Sequence, residues 1–253
     1  MNIERPREEQ IYALRRLWRE AFGDSDSFLD VFWRHAYSPD RCRCVAVNGE
    51  PAAALYWFDC LHEERPIAYL YAVATAKAHR GQGLCRRLME DTHRHLAARG
   101  YAGAILVPGE ESLFRFYERL GYRVCSGVRS FSCDAGDTAC AIRGVGTAEY
   151  AALRRQFLPR GGVVQEGENL AFLADQAAFY AGEDFVLAAR REGETLVGIE
   201  LLGDSAAAPA AVRALSCKRG TFRTPDNEMP FAMYLPLDGG TLSPPAHFGL
   251  AFD

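Results

Sequence analysis

Hydrophobic and polar positions follow two rhythms along this chain, and the switches between them mark its elements. Ile11, Leu14, Trp18 and Phe22 recur at helical spacing within residues 7–22, and Gly23 supplies a stop. Phe28, Val31, Phe32 and His35 repeat that spacing over 26–36 until Ser38-Pro39 ends it. Residues 43–47 and 52–60 flank Asn48-Gly49 and read as a β-hairpin, because both turn residues tolerate positive φ. A turn at Glu63-Glu64 leads into 67–75, an apolar run suited to a central strand. After a Gly-containing loop at 78–83, Leu84, Leu88, Thr92 and Leu96 form a helical stripe that ends at Gly100. A buried-type strand at 102–107 precedes a helix marked by Leu113, Phe116, Tyr117 and Leu120, with Gly121 past its end. Short strands near 122–125 and 128–133 complete the unit.

The polar, turn-rich stretch 134–138 predicts a boundary, with domains at 1–134 and 140–253. The second domain reads as helices near 148–157 and 169–181, strands at 185–190 and 195–202, and a short helix at 209–215. Residues 219–225 read as a basic, turn-like loop, and strands are predicted near 231–236 and 247–252. Helix–helix–hairpin order recurs in both halves, so a degenerate copy of the first is one reading of the second.

Composition narrows the class. With 253 residues, 49% hydrophobic and 25% charged, the chain has ample material for a core and is not a disordered or fibrous sequence. A net charge of −4 argues against a nucleic-acid clamp, which needs a cationic stripe to displace counterions. The start carries charge throughout instead of the apolar core of a signal peptide, and no apolar run is long enough for a membrane span. Eight cysteines without a Cys-x-x-Cys pair read as small hydrophobes of a reduced, cytoplasmic protein. His79, His93 and His95 read as surface residues, and no metal is expected.

The candidate chemistry lies where the central strand meets the next helix. Gly81 and Gly83 let backbone N–H groups turn toward a ligand at a helix N-terminus, an arrangement suited to a pyrophosphate. Arg80 adds a charge-assisted contact. Neither Gly-x-x-x-x-Gly-Lys-Ser/Thr nor Gly-x-Gly-x-x-Gly is present.

Arg80-Gly-Gln-Gly-Leu-Cys85 resembles the acyl-CoA-binding signature Arg/Gln-x-x-Gly-x-Gly/Ala of the GNAT N-acetyltransferase superfamily. Phe116-Tyr-Glu-Arg-Leu-Gly-Tyr122 resembles that superfamily's second motif, at about the usual distance downstream. The resemblance covers residues 1 to 133. It implies an α+β fold: a central, mixed, mostly antiparallel twisted sheet flanked by helices, here with a smaller α+β C-terminal domain. It also implies acetyl-CoA as co-substrate and transfer to a primary amine of a small molecule or peptide. A non-catalytic acyl-CoA-binding or sensing protein is the alternative, and the reading leaves room for an oligomer.

By the same resemblance, the strand before the loop splays from its neighbour, and Val73, Ala74 and Thr75 hold the pantetheine arm by their backbone. N–H groups of Gly81, Gln82, Gly83, Leu84 and Cys85 take the pyrophosphate, and the N–H near Val73 polarises the thioester carbonyl. Tyr117 is the implied general acid for the leaving thiolate. Two positions depart from the pattern: Cys85 stands where Gly or Ala is usual, and Glu110 where many relatives have Asn. Asp59, Glu63, Glu64 and Glu110 are candidate bases, as is the terminal carboxylate of Asp253. Tyr56, Trp57 and Phe58 are candidates for an acceptor cleft, with strand alternation sending some of them to the core. The second domain is expected to form one wall of the acceptor site.

Overall fold

The computed structural model describes residues 3–252. After the short strand β1 (Ile3–Glu4), the helices α1 (Ile11–Phe22) and α2 (Asp26–His35) form where the spacing predicts them. Gly23 ends α1 at φ +79°, and the Ser25 hydroxyl caps α2 by accepting from the Phe28 N–H at 3.2 Å. Strands β2 (Cys42–Val47), β3 (Glu50–His62) and β4 (Arg65–Thr75) form a meander. Its tight turns hold Asn48-Gly49 and Glu63-Glu64 at positive φ. Then come α3 (Leu84–Ala98), β5 (Gly103–Leu106), α4 (Glu111–Glu118) and β6 (Arg123–Asp134).

The second half contributes β7 (Arg143–Val145), α5 (Thr147–Phe157), α6 (Glu168–Ala174), β8 (Ala178–Ala181), β9 (Phe185–Glu192) and β10 (Thr195–Gly203). It ends with α7 (Ala208–Ala214), β11 (Arg219–Asp226) and β12 (Met229–Pro236). This order, strand–helix–helix–three strands–helix–strand, repeats the first half from β1 to β5.

All twelve strands join one sheet in the order β1-β2-β3-β4-β5-β12-β6-β11-β10-β9-β8-β7. The pairs β4–β5 and β10–β11 are parallel, and the rest are antiparallel. The two halves exchange their last strands: β6 follows β5 in sequence but lies against β11, while β12 follows β11 but lies against β5. The two short strands expected at 122–133 are one continuous strand, and β12 fills the place beside β5. Residues 219–225 are strand rather than loop, with Gly220, Phe222 and Thr224 buried on alternate positions. The helix expected at 169–181 stops at Ala174; from Ala178 the alternation of Phe179 and Ala181 inward makes a strand between β7 and β9. Residues 247–252 form no sheet strand; His247 makes only an isolated bridge to Gly162.

Alternation along β3 builds both faces of the core. Ala54, Tyr56, Phe58 and Cys60 pack under α1 and α2, while Ala53, Leu55 and Trp57 face α3. All eight cysteines are free thiols, four of them buried. Among the described residues no helix is long and apolar enough to cross a membrane.

The strand exchange creates a tight contact between the halves. A Cβ on Gly103 of β5 would stand 2.1 Å from the Tyr234 hydroxyl of β12. Gly103→Ala should therefore destabilise the whole chain by about 1–3 kcal/mol through overpacking. Urea unfolding should show a lower midpoint at an unchanged slope; a midpoint equal to wild type would mean that β12 does not seat there.

Candidate active site

A cavity of about 490 Å³ opens where the sheet splits. Strands β4 and β5 pair in parallel only through Ile67–Tyr69 and Gly103–Ile105. Beyond Tyr69 the strands part, and β4 runs on to Thr75 without a partner on that side. The cavity occupies this wedge, lined by 69–73 on β4 and by 106–109, the last residue of β5 and the three that follow it.

A β-bulge shapes the β4 wall. Tyr56 pairs with Tyr71 and Ala54 with Ala74, so Leu55 alone opposes both Ala72 and Val73. Ala72 holds φ +48°, a left-handed conformation that non-glycine residues rarely adopt. The bulge breaks the ladder where Ala72 and Val73 face the cavity.

Past β4 the chain turns through residues 76–83 onto α3. Gly81 and Gly83 hold φ +76° and +74°, and a Cβ on either would meet nothing within 4 Å. The need for glycine there is conformational, and the space above the loop is open. Gly83 is the N-cap of α3 and carries no side-chain cap, so the first N–H groups of the helix lack that partner. The Arg80 Nε donates to the Thr75 carbonyl at 3.2 Å, and the Lys77 N–H donates to the Glu20 carboxylate of α1 at 2.6 Å, tying the first part of the loop to β4 and α1.

Tyr117, from α4, lines the same cavity and is 8% exposed. Its ring packs against Phe116 and Tyr122, with centroids 5.2 and 5.8 Å away, and its hydroxyl has no hydrogen-bond partner among the described residues. Burial, reinforced by the Cys85 thiol, lifts its ionisation above the ordinary tyrosine value, so it remains a proton donor at neutral pH. Burial also pushes the Cys85 thiol up to about 11, which keeps it protonated and makes it a poor nucleophile.

In sequence, residues 2–125 match the acetyltransferase (GNAT) domain family. Residues 2–125 are thus a GNAT acetyltransferase domain. No curated protein matches the sequence. Among solved structures, the GCN5-related N-acetyltransferase of Kribbella flavida is 19% identical, with TM-score 0.71 over 94% of this chain and 71% of that one. The GCN5-related N-acetyltransferase of Anabaena variabilis is 13% identical, with TM-score 0.74 over 93% and 72%. Eis1 of Mycobacterium abscessus is 14% identical, with TM-score 0.68 over 94% and 74%. At these identities the likeness is one of fold.

Within this chain the residues singled out by sequence fall into two groups. Val73 and Tyr117 share the cavity, whereas Ala74 and Thr75 continue β4 past it toward the loop formed by Arg80, Gly81, Gln82 and Gly83, with Leu84 and Cys85 opening α3. Tyr56, Trp57 and Phe58 are all buried, none lines the cavity, and so they make no acceptor cleft. His93 is not a surface residue; it packs on α3 with Nε2 2.8 Å from the Tyr122 hydroxyl, and burial lowers it to about 4.

The expected bases lie elsewhere too. Asp59 accepts from the Tyr101 hydroxyl at 2.5 Å, Glu110 from Ser112 at 2.5 Å, and Glu63 and Glu64 form the β3–β4 turn. Asp253 lies outside the described residues. Among the described residues the carboxylate lining the cavity is Asp24, whose Oδ2 accepts from the Trp18 indole N–H at 2.7 Å. Sequence reading missed it because it follows a helix stop and looks like any loop acid. The second half supplies part of the lining through Gln176, Pro230, Phe231, Ala251 and Phe252.

Proposed function

We propose that this chain transfers the acetyl group of acetyl-CoA to a primary amine of a small molecule or peptide, by direct attack of the amine. The observation that carries the reading is the coincidence, in one cavity, of the opened β4 edge with its bulge and of a protonated tyrosine hydroxyl. The donor side fits the site. The Thr75 hydroxyl is buried without a partner among the described residues, and the helix N-terminus beside the Gly81–Gly83 loop offers N–H groups to phosphate oxygens.

In this reading the backbone of Val73, Ala74 and Thr75 holds the pantetheine arm as an added strand edge would. Gly81, Gln82, Gly83, Leu84 and Cys85 present N–H groups to the pyrophosphate, with Arg80 at the rim. The Val73 N–H stabilises the negative charge that develops on the thioester oxygen. A C–N bond forms as the C–S bond breaks, Tyr117 gives its proton to the departing sulfur, and the amine's proton leaves to water or a nearby carboxylate. Residues 1–134 would thus carry the transfer chemistry, and 140–253 one wall of the acceptor side.

The test is thiol release from acetyl-CoA in the presence of tyramine, spermidine or a lysine-containing peptide, alongside calorimetry with CoA. Amine-dependent release with CoA binding supports transfer; binding without release on any amine supports the sensing alternative; no binding refutes both. Gly83→Val sharpens the donor side. A β-branched residue at φ +74° costs about 1–2 kcal/mol, so the loop must move and CoA affinity should fall about tenfold. An unchanged dissociation constant would remove the loop from the site.

A further inference from the structure

The segment that brings Ala251 and Phe252 to the cavity is held from behind by a buried ionic network. Arg154 of α5 grips Glu200 of β10 with two bonds, Nε to Oε2 at 2.6 Å and Nη2 to Oε1 at 2.9 Å. Glu200 also accepts from the Tyr150 hydroxyl at 3.4 Å, and its Oε1 lies 3.1 Å from His247 Nε2. An ionised carboxylate only accepts, so His247 donates through Nε2. Arg154 extends the network to the Val163 carbonyl at 3.1 Å and the Gln165 side-chain oxygen at 3.5 Å. The Gln165 amide then pairs with both backbone groups of Leu250, donating to its carbonyl at 2.7 Å and accepting from its N–H at 3.1 Å. Arg154, Gln165, Glu200 and His247 are each at most 2% exposed.

Glu200 reaches this position through a second bulge. Gly198 pairs with Ala189 and Glu200 with Ala188, so Ile199 is the extra residue on β10. Regular alternation would turn Glu200 to the face of Leu196, under α7; the bulge turns it toward α5 and the tail instead. The tail fits against it closely: a Cβ on Gly249 would stand 1.8 Å from Glu200 Oε1. Three residues later the Phe252 carbonyl accepts from the Tyr71 hydroxyl at 2.9 Å, and the Phe252 ring packs 4.7 Å from Phe58.

We propose that Glu200, clamped by Arg154, is a positioning residue that sets the acceptor-side wall of the cavity by fixing residues 247–252, and so governs which amines are acetylated. This rests on the acetyl-transfer reading above. The network spends a buried charge pair, often no better for stability than apolar packing, on a segment with no strand of its own. Its partners include a histidine and a glycine of the tail and, through Gln165, the tail backbone. The donor loop leads into α3, and none of its described residues bonds to this network.

The test uses two variants that leave the charge pair in place. Gly249→Ala forces the tail off Glu200, and Gln165→Leu removes both Leu250 bonds. For each, hydrogen exchange of the 247–252 amides, CoA affinity by calorimetry, and kcat and KM for tyramine, spermidine and a lysine peptide are measured on the full chain. The expected result is at least tenfold faster exchange in the tail, CoA affinity within twofold of wild type, and at least a tenfold change in the relative kcat/KM of the three amines. Faster exchange with an unchanged ranking overturns the proposal, as does unchanged exchange in both variants. A uniform loss of CoA affinity overturns it also, since that marks general destabilisation. A wild-type chain that binds CoA but acetylates none of the three refutes the transfer reading and the proposal with it; the exchange data would still report whether the network holds the tail.

Discussion

Tyr117→Phe should lower kcat for acetyl transfer by about 10²- to 10³-fold, in the range that a positioned general acid contributes. The substitution removes only a hydroxyl, which has no partner among the described residues, so the ring contacts with Phe116 and Tyr122 survive. CoA affinity and unfolding midpoint should therefore stay near wild type, which separates loss of a proton donor from loss of a fold. The raised ionisation of the phenol adds a pH signature. A free tyrosine would lose its proton near pH 10, whereas a buried one keeps it higher, so kcat should not fall on the alkaline side until above about pH 10. A Phe variant with near wild-type kcat would take Tyr117 out of the chemistry.

The second large effect is on stability. Arg154→Met leaves Glu200 buried without its cationic partner, a change that typically costs about 3–5 kcal/mol. The pH dependence identifies the cause. Burial alone would raise Glu200, but the Arg154 charge and the hydrogen bonds from His247 and Arg154 outweigh it and hold the carboxyl at about 2. A folded value below the unfolded one, near 4.5, contributes stability that is complete above the unfolded value and lost as pH falls toward 2. In Arg154→Met burial dominates and the folded value rises above the unfolded one. Stability of the variant should then decrease as pH rises through that folded value, opposite in sign to wild type. Urea unfolding at about pH 3, 4.5 and 7 measures both slopes, the wild type's between the first two and the variant's between the last two; parallel pH dependences of the two proteins would contradict the coupling.

What the sequence disclosed, and what it hid, follows the range of the interactions. Helices α1 to α4 and the Asn48-Gly49 hairpin are written in local periodicity and turn chemistry, as are Gly81 and Gly83, whose positive φ is a property of single residues. The α4 stripe likewise placed Tyr117 correctly on its helix. The bulge at Ala72 carries no such mark, because alanine is not a left-handed residue and is held there by its neighbours. The exchange of β6 and β12 is a long-range pairing that no window of sequence contains. Strand β11 does alternate inward at Gly220, Phe222 and Thr224, but its glycine and proline read as turn residues. Glu200 sits in an apolar run that conceals both its bulge and its partners, which lie 46 and 47 residues away in Arg154 and His247. Asp24 becomes notable only once the Trp18 indole and the cavity are seen beside it.

The central claim, that the split between β4 and β5 is where acetyl donor meets acceptor, is tested most directly by a crystal structure of the chain with CoA bound. The expected complex has the pyrophosphate on the N–H groups of residues 81–85, the pantetheine arm along 73–75, and the sulfur within hydrogen-bonding distance of the Tyr117 hydroxyl. CoA bound away from the β4–β5 wedge, or with its sulfur remote from Tyr117, would contradict it.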